Sequence, residues 1–492
     1  MAEIKDNNKS IHHYIGFAVI LFVILMIIDL SNSHTGYFTP EGLKLAFIAV
    51  VGYTLVFILY LYTVKKLDTG FLSVAVILTG IFLRVCYMLY TGPGTRTYDV
   101  YREQWGHLDY IRYIADNLSL PPVNVCQAYH PPLHHIISAV ALKLAKLLVS
   151  NEFLELKLVQ AVTAILNIFT LITFYRMLKI LKCSKGVILA GVSIFAFHPT
   201  NIYFSSRINN DNTMFFFYIL AFYFLLRWIN EKSLKNMVLL AVFSSLAVMA
   251  KLSGVMLIPV IASAFALSLA NSFGDYKKYL KQFMVFCWIY LPLSLSYQIR
   301  NYFMFDQDFG YVPSFGRGFE PDFFNLVYIP VGNIIRNPFN NGGIEGGEFF
   351  LEFLLKSSLF GEWEFPGLES LALMLIILSV LNLIILFIYI ILSRKRILYN
   401  HGYLFVLNLI IPFILAAKFR TDYPVACSQD FRYIAPVLIS VSYFLGKAAG
   451  GHTAAGNSLK ANAYVFRYIT SGSVAAFCIA SSVFVLMLSA YS

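Results

Sequence analysis

Leu133 to Val149 reads LHHIISAVALKLAKLLV, and whether this run crosses a membrane decides the topology of everything after it. It falls short of the roughly 20 apolar residues that a hydrocarbon core demands and carries Lys143 and Lys146. The chain around it is mostly apolar: of 492 residues 59% are hydrophobic, 16% aromatic and only 13% charged. That mix excludes an ordinary soluble domain and predicts an all-α polytopic membrane protein. Runs long enough to cross lie near 14–30, 42–63, 71–90, 156–176, 186–204, 213–229, 236–250, 253–270, 280–298, 369–393, 402–417, 430–447 and 466–490, about thirteen transmembrane helices. The first, Tyr14 to Leu30, is followed by no small-x-small cleavage site and reads as a retained helix.

Charge between the runs decides Leu133–Val149. With the N-terminus in the cytoplasm and this run not crossing, Lys65/Lys66, Arg176/Lys179/Lys182/Lys185, Arg227/Lys232/Lys235, Lys277/Lys278/Lys281, Arg394/Lys395/Arg396 and Lys447/Lys460 all fall inside. A crossing would send every cluster from Arg176 onward outside. The run is therefore expected to be an interfacial or re-entrant helix on the outer face, with Lys143 and Lys146 snorkelling. The formal charge of +11 fits this cytoplasmic bias and fits anionic lipid or phosphate-bearing partners equally; nothing points to nucleic acid.

This topology gathers four segments outside: 91–155, 205–212, 299–368 and 418–429. The chain reads as one membrane body over residues 1–492, with no tandem repeat and no soluble domain at either end. Segment 299–368 is a long loop rich in Gly, Pro, Asn and aromatics, a length usually tied to function. The six cysteines form no C-x-x-C pair; Cys126 and Cys427 share the outer face, so a disulfide between them is open.

The densest polar stretch is TYDVYREQWGHLDYIRYI, Thr97 to Ile114. From Tyr101 its apolar residues recur at helical spacing, as in an amphipathic helix lying on a membrane surface, and Pro121-Pro122 ends it. Pro131-Pro132 then opens the interfacial helix. Asp99 stands where a carboxylate either caps exposed N–H groups or acts as general base toward a hydroxyl. Arg102, one turn on, is always charged and offers paired donors to a phosphate. His107, Asp109 and His130 would orient either partner.

These residues resemble the GT-C superfamily of polytopic glycosyltransferases, in particular the branch similar to protein O-mannosyltransferases and the lipid A aminoarabinose transferase (glycosyltransferase families 39 and 83). That branch carries Asp-Glu-x-Arg-Tyr on an outer loop and Lys-Pro-Pro-Leu some thirty residues later. Here the first motif reads Asp99-Val100-Tyr101-Arg102-Glu103, with Val at the second acid, and the second reads His130-Pro131-Pro132-Leu133, with His for Lys. FHPTNIYFSSRINND, Phe197 to Asp211, is similar to the branch's outer turn and presents Arg207, Asn210 and Asp211. The resemblance is clearest from Arg84 to Asp211.

The resemblance implies a GT-C-like fold with outer juxtamembrane helices and an inverting sugar transfer from a polyprenyl-phosphate-linked donor to a glycan, lipid or protein acceptor. It makes Asp99 the catalytic base, with Arg102 and His130 on the phosphate. The other cations at span ends, Arg207, Arg300, Lys418, Arg420 and Arg432, suit a departing phosphate at a low-dielectric surface, or serve as snorkelling and ion-paired groups. Arg84 and Lys251 lie in or between spans and require a polar environment. In the long loop Glu362, Glu364, Trp363, Phe360 and Tyr311 would stack on a sugar and accept its hydroxyls, or form an interfacial belt. No cofactor is implied; outer carboxylates leave a divalent cation open. The competing reading is a lipid-linked-sugar flippase or transporter, which should place its charges mid-membrane on broken, repeat-related helices.

Overall fold

The computed structural model describes residues 68–97, 100, 106–271, 273–313, 322–340, 349–399, 401–450 and 460–491. The spans expected at 14–30 and 42–63, together with Asp99, Arg102 and Glu103, lie outside these residues. Among the described residues the regular structure is all helical, with no strand.

Helix α1 is Thr69–Tyr90, α2 His107–Asn117, α3 Leu133–Leu148 and α4 Glu152–Ile180; α5 is Lys185–Phe197, α6 Pro199–Tyr203, α7 Asn210–Glu231 and α8 Leu234–Ala250. After a 3-10 turn at Leu252–Leu257 come α9 Ile258–Asn271, α10 Tyr276–Phe305, α11 Phe323–Val327, α12 Val331–Arg336 and α13 Phe350–Phe360. Helix α14 is Glu369–Leu392, α15 Arg394–Tyr399 and α16 Gly402–Asp422; 3-10 turns at Ala426–Gln429 and Phe431–Ile434 lead to α17 Val437–Gly450 and α18 Lys460–Met487. Several starts are written locally: the side chains of Asn151, Ser184 and Ser233 accept the N–H groups of Leu154, Val187 and Asn236 and so satisfy first-turn donors.

Among the described residues seven helices are long and apolar enough to cross a membrane, or eight if the pair Ala426–Ile434 and Val437–Gly450, bent by 54°, is one span. Shorter apolar helices α5 and α8 fill two further expected places. The chain is an integral membrane protein. Helix α3, at 16 residues, is about 24 Å long against a core of about 30 Å and is not among the seven. One face buries His134, His135, Ser138, Ala139, Leu142 and Ala145, while Ile136, Val140, Leu144, Leu147 and Leu148 line the other, exposed.

Glycine sets the closest helix crossing. Gly446 and Gly450 of α17 lie on α5, where a Cβ at Gly446 would stand 2.8 Å from the Val187 carbonyl oxygen and one at Gly450 2.1 Å from the Val187 nitrogen. Backbones this close are the dividend of small residues in membrane helices. Polar groups tie the remaining spans. Fully buried Arg84 donates to Asn167 Oδ1 (2.6 Å) and to the carbonyls of Gly80 (2.9 Å) and Ala196 (2.7 Å), joining α1, α4 and α5; Asn167 continues to Asn212 on α7 at 3.1 Å. Lys157 donates to the carbonyls of Met88, Leu89 and Thr91, satisfying the C-terminal acceptors of α1. Arg84 and Lys157 are thus structural charges with their demand met by oxygen.

Candidate active site

The segments expected to share a face do meet at one end of the bundle. Short helix α6 starts at Pro199, a ring suited to a first helical position, and is fixed to the end of α13: Thr200 Oγ1 donates to the Ser358 carbonyl at 2.6 Å and the Tyr203 hydroxyl to the Leu359 carbonyl at 2.9 Å. The Phe431 N–H donates to Ser357 Oγ at 3.0 Å, which brings the turn at Phe431–Ile434 to the same place. Together they enclose a narrow pocket lined by Thr200, Tyr203, Phe204, Arg207, Ser357, Asp430 and Arg432. Gly361, at φ +66°, passes so near Arg207 that a Cβ there would lie 2.9 Å from Nη2; the left-handed backbone and the contact both require glycine.

Arg207 and Arg432 are 7% and 9% exposed, so their charges sit where water screens them little. Asp430 holds Arg432 twice, accepting its backbone N–H at 3.0 Å and forming an ion pair with its guanidinium, Oδ2 3.2 Å from Nε. Behind this wall Lys251, on the break where α8 ends, pairs with buried Asp211 at 2.5 Å. Gly254 makes that break possible by lying against the Ala247 backbone, 2.6 Å from where its Cβ would be. Lys251 Nζ is 4.3 Å above the Tyr433 ring and Arg432 Cζ 5.2 Å from the same ring, so Tyr433 stands between two cations and stabilises both through its π face. The pocket therefore adjoins a cationic cluster drawn from α6–α7, α8 and the α16–α17 connection.

Other expected residues are held elsewhere. Arg420, fully buried, donates from Nε to Gln429 Oε1 at 3.4 Å and stands behind the connection that carries Asp430. Arg300 donates to the carbonyls of Leu120 (3.4 Å) and Pro121 (3.1 Å) and clamps the end of α10 to the segment after α2. Lys418 is exposed, bonded to Asp422 one turn on, and is not brought to the pocket. Asp109 accepts the Gly106 N–H at 3.0 Å, reaching back to the N-cap of α2, a structural use of the carboxylate. Glu362, half-buried, follows Gly361 and is not among the residues lining the pocket. Cys126 is buried and bears a thiol, so the disulfide left open with Cys427 is not formed.

A second cluster packs between α2 and α3. His107 Nδ1 and His135 Nε2 are hydrogen-bonded at 2.9 Å with rings stacked at 5.2 Å; His130 stacks on His107 at 5.7 Å, His134 meets both edge-on at 6.3 and 5.2 Å, and Tyr110 covers His135 at 4.0 Å. His134 Nδ1 is bonded to Thr213 Oγ1 of α7 at 2.8 Å. His107, His134 and His135 are buried; His130 is half-buried. Burial holds His134 and His135 well below the usual histidine range, His107 adding to the effect on both, so both imidazoles are neutral. Val100, the chain neighbour of Asp99, is buried, and its carbonyl accepts the Leu108 N–H at 3.3 Å, tying the motif to the first turn of α2.

Sequence reasoning passed over Lys251's place in the site, Tyr433, and the pair His134-His135. The histidines were in plain view in HPPLHH, where polar residues one turn from His130 open an apolar run. Lys251 and Tyr433 carry no local signal, since their meeting depends on chain segments far apart. Among the described residues no group of three or more His, Cys, Asp or Glu side chains is arranged to hold a metal ion.

Among the described residues the body has helices as its only regular structure, several of them of spanning length, and a pocket lined by Arg207, Asp430 and Arg432 at one end. Residues 129–295 match the family model described as dolichyl-phosphate-mannose-protein mannosyltransferase; the match takes in His130, α3, Arg207 and the Asp211–Lys251 pair. No curated protein matches its sequence. Among solved structures it is similar to ArnT from Cupriavidus metallidurans bound to undecaprenyl phosphate, at 12% identity and a TM-score of 0.49, over 86% of this chain and 77% of that one.

Proposed function

We propose that the enzyme transfers a sugar from a polyprenyl-phosphate-linked donor to an acceptor hydroxyl at the extracytoplasmic face, with inversion and with Asp99 as general base. The observation that carries this reading is the convergence of Arg207 and Arg432 on one buried pocket. When the bond between the anomeric carbon and phosphate oxygen breaks, negative charge grows on the phosphate. Fixed guanidinium groups in a water-poor site stabilise that charge more in the transition state than in the donor. Lys251, held by Asp211 and Tyr433, adds to the field from behind. Arg102 and His130 belong to the same reading, on the motif side of the site. The extracytoplasmic placement is supported by the distribution of Lys and Arg, which puts the opposite ends of the helices in the cytoplasm.

The test is transfer by purified protein in nanodiscs offered undecaprenyl- and dolichyl-phosphate sugars, with Asp99→Asn and Arg432→Gln beside wild type. Turnover of one donor with loss of rate in both variants is expected. Undiminished transfer by Asp99→Asn removes Asp99 as base. An inactive wild type that moves labelled lipid-linked sugar across a bilayer replaces the reading with a flippase.

A further inference from the structure

We propose that α11 and α12 form a membrane-seated wedge, whose apolar side chains dip into the acyl chains of the leaflet at the pocket end of the bundle. Between Asp322 and Arg336 the chain reads FFNLVYIPVGNII, thirteen residues with no charged side chain. Phe323 is 74% exposed, and Phe324, Val327, Ile329, Val331 and Ile335 are exposed with it. Apolar residues scattered singly on a surface need no explanation, but a run of this kind marks a membrane or protein contact. The segment is too short to cross a bilayer, since Pro330 parts it into helices of five and six residues.

The backbone suits a lipid seat, where each N–H must find its acceptor within the protein. Tyr328 N–H donates to the Phe324 carbonyl at 2.9 Å, Val331 N–H to Ile329 at 2.9 Å, Ile334 N–H to Pro330 at 3.2 Å and Asn337 N–H to Asn333 at 2.8 Å. Exposed Asp322 and Arg336 stand at the two ends, where charge can stay at headgroup depth. Tyr328, stacked on Phe324 at 4.6 Å, adds the aromatic ring with a polar tip that favours the interface.

The exposed surface continues into one that faces lipid already. Tyr328 lies 5.3 Å from Phe349, and the next residue, Phe350, lies 5.6 Å from Phe413 of α16. Helix α16 is of spanning length, and its Ile410, Phe413 and Ile414 are exposed. On the inner side Leu326 packs on the core and Ile334 is buried. Phe339 is buried between the rings of Phe360, at 5.1 Å, and Phe365, at 5.6 Å. Asn340 Nδ2 then donates to the carbonyl of Gly361, the glycine pressed against Arg207, at 3.1 Å. The wedge is therefore fastened to the pocket wall, and its depth in the leaflet sets the height of Arg207 above the lipid. This role does not depend on sugar transfer and stands or falls separately from it.

The test uses the full wild-type chain in nanodiscs of phosphatidylcholine carrying a photoactivatable diazirine near the end of one acyl chain, beside a water-soluble diazirine. After irradiation, peptide mapping is expected to find acyl-chain adducts on 323–335 several-fold above water-soluble ones, as on the exposed residues of α16. An excess of water-soluble adducts overturns the proposal. Protection from both reagents does so too, because a second copy or another segment then covers the surface. Acyl-chain adducts that vanish when undecaprenyl phosphate is added also overturn it, assigning the surface to an isoprenoid chain instead of the leaflet. A nitroxide on Phe324→Cys in a Cys427→Ser background gives a second reading in the same nanodiscs. Relaxation by oxygen is expected to exceed relaxation by a water-soluble nickel chelate, and the reverse order refutes the wedge.

Discussion

Arg432 shows how one residue gets its value from where it stands. In solution a guanidinium beside an aspartate contributes little, but here Asp430, Tyr433 and burial hold its charge at a pocket wall. Removing a fixed donor from a developing oxyanion costs about 10²–10³ in kcat, so Arg432→Gln and Arg207→Gln are each expected to fall in that range in the nanodisc assay. Lys418→Gln, at an exposed ion pair away from the pocket, should leave kcat within about twofold. The neutral histidines make a second prediction. His134 and His135 titrate below the ordinary range when folded, so below about pH 6.5 the unfolded chain binds protons that the folded one does not. Stability is therefore complete above that pH and lost as pH falls, by up to about 1.4 kcal/mol per pH unit for each histidine. Melting temperatures at neutral and mildly acid pH should show the fall, and His134→Gln should flatten it.

At the scale of elements, the contact of α5 with α17 and the cap on α1 are the joints to test. A side chain at Gly450 meets the α5 backbone at 2.1 Å, which no rotamer relieves, so Gly450→Leu is expected to destabilise by more than the roughly 1–3 kcal/mol of ordinary overpacking. Exposed Gly472, with open space around its Cβ position, should accept alanine without loss. Lys157→Met strands three buried carbonyls and should lower stability by about 1–3 kcal/mol, read as a drop in melting temperature. Helix boundaries of this kind were legible in advance: the caps Asn151, Ser184 and Ser233 announce three starts, and Pro131-Pro132 announces α3. The break after Ala250 was not legible, because the signal for it is the close approach of Gly254 to the backbone of Ala247, earlier in the chain.

For the whole molecule the question is which end faces out. Exposed Cys427 lies in the same connection as the pocket residues Asp430 and Arg432. If that end is extracytoplasmic, a membrane-impermeant maleimide added to intact cells labels wild type and not Cys427→Ser. Labelling only after the membrane is opened would invert the topology and move the proposed chemistry to the cytoplasm. The same experiment reports whether Leu133–Val149 stays on one side.

By itself the sequence determined the class of structure. Apolar runs of spanning length leave the backbone no option but helix in lipid, and the alternation of Lys and Arg clusters orders those helices, so a short run such as Leu133–Val149 is recognised as non-crossing. It also marked where chemistry would collect, because charge is expensive in a membrane and gathers where water reaches it. Only the tertiary structure decided which charges act together. Arg207, Lys251 and Arg432 look alike in sequence to Arg84, Arg300 and Lys157, all cations at or near span ends. Packing sorts them, giving backbone carbonyls to the second group and a shared pocket or a common aromatic ring to the first. The reason is that a buried cation's role depends on which oxygen or ring lies within a few ångströms of it, and those partners come from segments that meet only when the chain folds.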